Sequence, residues 1–132
     1  STRRRQRQMC IRDRIRRANP KNLIFSAVDA LLMSSYQLGA PGAIAAILTA
    51  APGPSVKLWN AVQNENWDVA LDLHQKLMPL WDAIGLDNMP SLCKYAQKLQ
   101  GLDAGFARKP TSPATKTQKE KVEIALKGLG LI

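Results

Sequence analysis

The groups in this chain able to do covalent or acid–base chemistry are its lysines, one histidine and two cysteines. A lysine amine attacks a carbonyl at neutral pH only when a desolvating pocket or a neighbouring cation lowers its pKa. The lysines, from Lys21 to Lys127, fall on helical or loop stretches, and none stands at the carboxyl end of a predicted strand. Lys116, Lys119, Lys121 and Lys127 read as a solvated helix face. His74 lies mid-helix between apolar positions, with no nucleophile or orienting partner to make it a general base, so it reads as a packing histidine. Cys10 and Cys93 have neither the spacing of a disulfide framework nor that of a metal site. Both read as free thiols in a reducing compartment.

The elements that must position these groups alternate in type. Leu23-Ile24-Phe25 is a short apolar run with the length and flanks of a buried strand. Asp29 to Leu38 predicts a helix, with the Asp29 carboxylate suited to the free N–H groups at its start and Gly39 at its stop. Ala43 to Leu48 is a second apolar run read as a strand. Strand, helix, turn and strand make a βαβ unit, whose connection is expected to be parallel and right-handed. Pro52-Gly53-Pro54-Ser55 launches a further helix, interrupted at Asn64 to Asn66. Trp67 to Ile84 then recurs at spacings of three and four, the pattern of an amphipathic helix. Pro79 is expected to bend it or loosen its last turn, and Gly85 to end it. Trp59, Trp67 and Trp81 read as helix packing. Pro90 to Gln100 predicts the next helix, with Gly101 past its end. Thr117-Gln118-Lys119-Glu120 has the form of a capping box opening the last one, which ends at Gly128-Leu129-Gly130.

Bulk composition separates a head from a body. The chain has 132 residues, 45% of them apolar, and a net charge of +9. Residues 1–17 hold eight arginines against Asp13 alone, whereas the remainder carries eleven basic and nine acidic groups. The body, 21–132, is thus near neutral, and the charge belongs to an arginine-rich head, 1–20. Gln8 to Arg14 reads as a translated sequencing adapter, which would make the head an assembly artefact. The alternatives are a disordered native arm gripping phosphates, without the aromatics that stack on single strands, and a transit or linker segment. No stretch approaches the ~18 apolar residues of a membrane span. Two parallel strands do not make a sheet. A parallel sheet has both faces covered and more strands, so the body is expected to be part of something larger, with apolar edges left open.

Several motifs in order resemble the dihydrodipicolinate synthase and N-acetylneuraminate lyase family of class I aldolases. Ser26-Ala27-Val28-Asp29 is similar to that family's Ser-Gly-x-Asp at the end of its seventh barrel strand. Leu38-Gly39 matches the end of the following helix, and Gly42-Ala43-Ile44-Ala45 resembles Gly-Val-Ile-Ser on the eighth strand. Pro90-Ser91-Leu92-Cys93-Lys94 resembles the family's Pro-x-x-x-Lys, Arg108 to Pro113 its Arg-x-Pro-x-x-Pro loop, and Leu129-Gly130-Leu131-Ile132 its usual carboxyl terminus.

The resemblance implies an α/β fold: the last two units of a (β/α)₈ TIM barrel plus a helical extension, mostly helical when taken alone. It implies a cytoplasmic homo-oligomer, a tetramer, acting on pyruvate or a related 2-keto acid. The chemistry would be that of a carbon–carbon or carbon–oxygen lyase, through a Schiff-base lysine and a proton-shuttling tyrosine, with no metal or other cofactor. Both residues would precede position 22, which leaves the chain inactive alone and no catalytic residue within it. The substrate-binding positions carried over are Ile44, which would line the keto-acid pocket, Ala27, where glycine is common, and Ala45, in place of serine. With Thr49 in place of asparagine, these departures point to a 2-keto acid other than the usual one. Cys93 becomes a packing position. The alternative function is a small basic helical module binding nucleic acid through the arginine arm.

Overall fold

The computed structural model describes residues 21–85 and 88–132, together with Arg17 and Asn19. The readings of the arginine-rich head therefore lie outside the described residues. A 3₁₀ turn, Asp29–Leu31, leads into α1 (Leu32–Gln37), and a single helical turn, α2 (Ile47–Ala50), precedes α3 (Pro52–Gln63). Then come α4 (Trp67–Ile84), α5 (Met89–Leu99) and α6 (Lys116–Gly128).

Among the described residues neither predicted strand forms. What joins the two runs is an isolated parallel bridge between Ser26 and Ala43, in the sense that a βαβ connection requires. The second run fails as a strand because its later half turns helical. Ile47, Ala50 and Ala51 are fully buried there, and the turn packs on α3 and α5. A short run of apolar residues satisfies a buried helical turn as well as a buried strand. Beside the bridge Leu23, Phe25 and Ile44 are exposed, Ile44 by 76%.

The helical body has its own core. Leu58 and Val62 of α3, Leu77, Leu80 and Ile84 of α4, Leu92 of α5, and Val122 and Leu126 of α6 are buried together with Leu32 and Tyr36 of α1. Trp59 packs edge-on against Tyr36, with ring centroids 4.9 Å apart. His74 is half-buried, and that burial holds its imidazole below the usual range. Gln63 is the last residue of α3, and Glu65, with a φ of 56°, turns the chain so that Asn66 caps α4 through Val69. The helix α4 continues through Pro79 to Ile84. Gln75, whose carbonyl loses its usual donor at that proline, is exposed.

The capping box lies two residues earlier than Thr117. Thr115 caps α6, its hydroxyl accepting from the Gln118 amide while the Gln118 side chain accepts from the Thr115 amide. Both frames fit the Ser/Thr-x-x-Glu/Gln pattern. The earlier one also lets the Gln118 carboxamide oxygen accept from Asn88 Nδ2 at 3.2 Å, fastening α6 to the start of α5. A second fastening joins the same helices, where the Tyr95 hydroxyl donates to the Glu123 carboxylate.

Two outcomes follow from this packing. Leu80 is fully buried, so Leu80→Ala is expected to lower the free energy of unfolding by about 2–5 kcal/mol in urea denaturation followed by circular dichroism. The hydrogen bond to Glu123 pushes the Tyr95 phenol from 10.0 up to about 12. A group raised above its unfolded value stabilises the fold fully below the unfolded value. Its contribution is then lost as the pH climbs from about 10 through about 12. A tyrosinate absorbance titration should therefore lose its component near 12 in Tyr95→Phe, and an unchanged curve would refute the link.

Candidate functional site

The residues singled out for substrate contact lie where the two would-be strands meet. The Ser26 amide donates to the Gly42 carbonyl at 3.0 Å, and the Ile44 amide donates to the Ser26 carbonyl at 2.8 Å. The second bond uses the peptide unit joining Ser26 to Ala27, so Ala27 and Ile44 become neighbours across the bridge. Ala27 is exposed, Ile44 more so, and Ala45 is half-buried against the core. The structure thus sets Ala27 and Ile44 on the open side of the bridge, with Ala45 turned to the core.

Two side-chain bonds hold this edge in place. The Ser26 hydroxyl donates to the Ser35 hydroxyl at 3.0 Å, with both residues buried, which pins the first run onto α1. The Asp29 carboxylate accepts the Ile47 amide at 2.6 Å. The sequence suggested that Asp29 would serve its own helix. Its carboxylate instead satisfies an amide at the start of α2, 18 residues on, where the chain has just left the bridge and Ile47 N–H has no helical partner. Gly39, with a φ of +93°, supplies the reversal between α1 and the second run. At Gly42 a Cβ would sit 3.0 Å from the Phe25 ring, so glycine lets that ring lie against the backbone. A groove of about 220 Å³ opens alongside, lined by Tyr36, Gly42, Leu48, Pro52 and Trp59 among others.

Nucleophiles are not assembled at this edge. Lys94 and Lys119 are half-buried and the other lysines exposed, so Lys119 departs from the solvated face expected of it. Lys94 donates to the Ala104 carbonyl at 2.6 Å. Cys93 is half-buried, its thiol 3.9 Å from the Ala46 carbonyl. Burial pushes that thiol up, with the Asp29 charge adding to the rise and a hydrogen bond from Thr49 opposing it. It is a packing group held in its neutral form.

The profile of the Dihydrodipicolinate synthetase family matches residues 5–129. The chain belongs to that family. The match begins inside the arginine-rich stretch. A 4-hydroxy-tetrahydrodipicolinate synthase from Nostoc sp. is 31% identical over 119 residues, which are 89% of this chain and 40% of that protein. The crystal structure of N-acetylneuraminate lyase from Fusobacterium nucleatum complexed with pyruvate superposes with a TM-score of 0.77 at 28% identity, over 89% of this chain and 40% of that one. A monomeric dihydrodipicolinate synthase variant superposes with a TM-score of 0.83 at 26% identity, over 92% and 42%. The chain spans about 40% of the length of the curated relatives it matches. Among the described residues no helix is long and apolar enough to cross a membrane.

Within a dihydrodipicolinate synthetase family chain, the motif Ser26-Ala27-Val28-Asp29 gains a physical account. Sequence reasoning singled out its second residue for substrate contact and missed what the first and last do. Ser26 and Asp29 are the fasteners, and the available signal was that both are polar within an otherwise apolar stretch destined for burial. Asp29→Ala leaves the Ile47 amide without its acceptor. It is expected to cost about 1–3 kcal/mol in urea denaturation and to speed hydrogen exchange at that amide, and an unaltered Ile47 exchange rate would count against the assignment.

Proposed function

We propose that this chain is the carboxyl-terminal part of a Schiff-base-forming lyase or aldolase. Its parent would make or break a bond at pyruvate or a related 2-keto acid, on a (β/α)₈ barrel whose last two units and helical extension are residues 21–132. The observation that carries this reading is the parallel bridge between Ser26 and Ala43, exposed along Leu23, Phe25 and Ile44, in a chain whose family is dihydrodipicolinate synthetase. A bridge bare on its flank is what remains of a closed cylinder when its other staves are absent, since barrels leave no edge unpaired. Barrel sites are built at carboxyl ends of strands, which is where the family resemblance would put Ala27, Ile44 and Ala45.

On this reading a lysine from an earlier strand adds its amine to the C2 carbonyl of the keto acid and loses water to form the imine. A tyrosine moves the protons. Both would be supplied from outside residues 22–132, and no metal is needed because the imine withdraws electrons in its place. This chain would contribute the rim. Ile44 would pack against the carbon skeleton, the Ala27 methyl would narrow the space that glycine leaves, and Ala45 would remove a hydroxyl that serine offers. The narrower, less polar rim would suit a branch acting on a sugar acid or other 2-keto acid better than ordinary dihydrodipicolinate synthesis. The parent would work as a cytoplasmic homotetramer. The nucleic-acid alternative rests on the head alone and draws no support from the relatives.

Incubating the chain with pyruvate and sodium borohydride, followed by intact mass and peptide mapping, tests the reading. No reduced adduct is expected: most of the lysines here are exposed, Lys94 is tied to a carbonyl, and half-buried Lys119 lies over the Tyr95 ring. A stoichiometric adduct on any one of them would place the reacting amine inside this chain and overturn the proposal.

A further inference from the structure

A second feature stands apart from the keto-acid reading and does not rest on it. A cavity of about 190 Å³ lies between α5, the loop of residues 104–114 and the first turns of α6, lined by Lys94, Tyr95, Lys98, Phe106, Thr111 and Lys119 among others. Three lysines line this space, and among the described residues no Asp or Glu lines it. Among the described residues the ion pair within 4.0 Å is Lys76 with Asp72, on another helix. Lys94 and Lys98 stand one helical turn apart, a like-charge pair that destabilises an isolated helix. Lys94 uses one of its donors on the Ala104 carbonyl, and the Lys119 ammonium lies 5.3 Å from the Tyr95 ring centroid. The Glu123 carboxylate on α6 is taken up by the Tyr95 hydroxyl. Phe106, 94% exposed, sits on the cavity wall with its ring uncovered.

Unpaired charge and uncovered aromatic surface in one concavity describe the complement of a ligand with an anionic end and a flat apolar body. Size narrows the class. A cavity of about 150 Å³ takes a benzene ring, so this one has room for a ring or short branched chain together with a carboxylate. We propose that the cavity binds a compact organic carboxylate, its charge held by Lys94, Lys98 and Lys119 and its body resting against Phe106 and Tyr95. The Lys94 and Lys98 repulsion is relieved when the anion arrives, and the loop of residues 104–114 gains a fixed packing partner.

Titration of the full chain with benzoate, benzamide and inorganic phosphate, followed through the backbone amide resonances of Gly105, Phe106 and Ala107, tests the assignment. Benzoate is expected to give saturable shifts that weaken with added salt. Benzamide, which keeps the ring and lacks the charge, and phosphate, which keeps the charge and lacks the ring, should each bind about tenfold or more weakly. Lys98→Met, at an exposed position, and Lys119→Met should each weaken benzoate by about tenfold, with circular dichroism confirming that the helices remain. Should Lys119→Met unfold, Lys98→Met and the three-ligand comparison still decide. Absence of saturable benzoate shifts, equal binding of benzamide or phosphate, or unaltered benzoate binding by a folded Lys98→Met would each overturn the proposal.

Discussion

The Asp29 carboxylate on the Ile47 amide is the contact on which the placement of everything around the bridge depends. Asp29 is largely buried, so the group that satisfies it has to be supplied by the fold. The amide it receives opens α2, which leads directly through Ala51 into α3. One bond therefore ties the turn after the first run to the entry of the helical body. With the Ser26 and Ser35 hydroxyls pinning the other end, the open edge is held against the core rather than hanging from it. Charge-assisted bonds of this kind are stronger than neutral ones, which suits a segment with so little backbone ladder of its own.

A second constraint governs the tail. The helix α6 is joined to α5 and its start by polar contacts, Tyr95 to Glu123 and Asn88 to Gln118, and the Ser91 hydroxyl ties α5 to the loop through the Ser112 carbonyl at 2.8 Å. Gln100 extends the set by donating to the carbonyls of Ala50 and Ala96 at 2.7 and 2.8 Å, closing the end of α2 and that of α5 with one side chain. These fastenings fix the helix ends and the loop of residues 104–114 between them. That is why a cavity persists there in place of a collapsed seam.

Much of the helical body was legible in the sequence, and the reasons are visible in particular residues. The stripe running from Trp67 through Leu77, Leu80 and Ile84 gave α4 its extent, because helical periodicity over many residues has few competing explanations. Gly39 and Gly101, with φ of +93° and +89°, stood where a left-handed stop is needed. The Ala43–Leu48 run was misread since periodicity says nothing when every position is apolar, and the outcome was set by a partner 18 residues away. The capping register slipped for a related reason, as two overlapping frames were equally acceptable locally and Asn88 selected between them from another helix. For the candidate site, the motifs pointed to two chain segments, and the bridge between Ser26 and Ala43 sets them side by side. The cavity lined by Lys94, Lys98 and Lys119 was hidden, because its walls come from two successive helices and the loop between them, and residue spacing alone does not show how that loop folds back between the helices.

The bare flank at Leu23, Phe25 and Ile44 marks a natural seam. To one side of it lies a helical body with a buried interior of its own; on the barrel reading proposed above, other strands would meet it chiefly through backbone pairing and a few apolar side chains. A polypeptide parted along such a line divides between two interiors rather than through the middle of one.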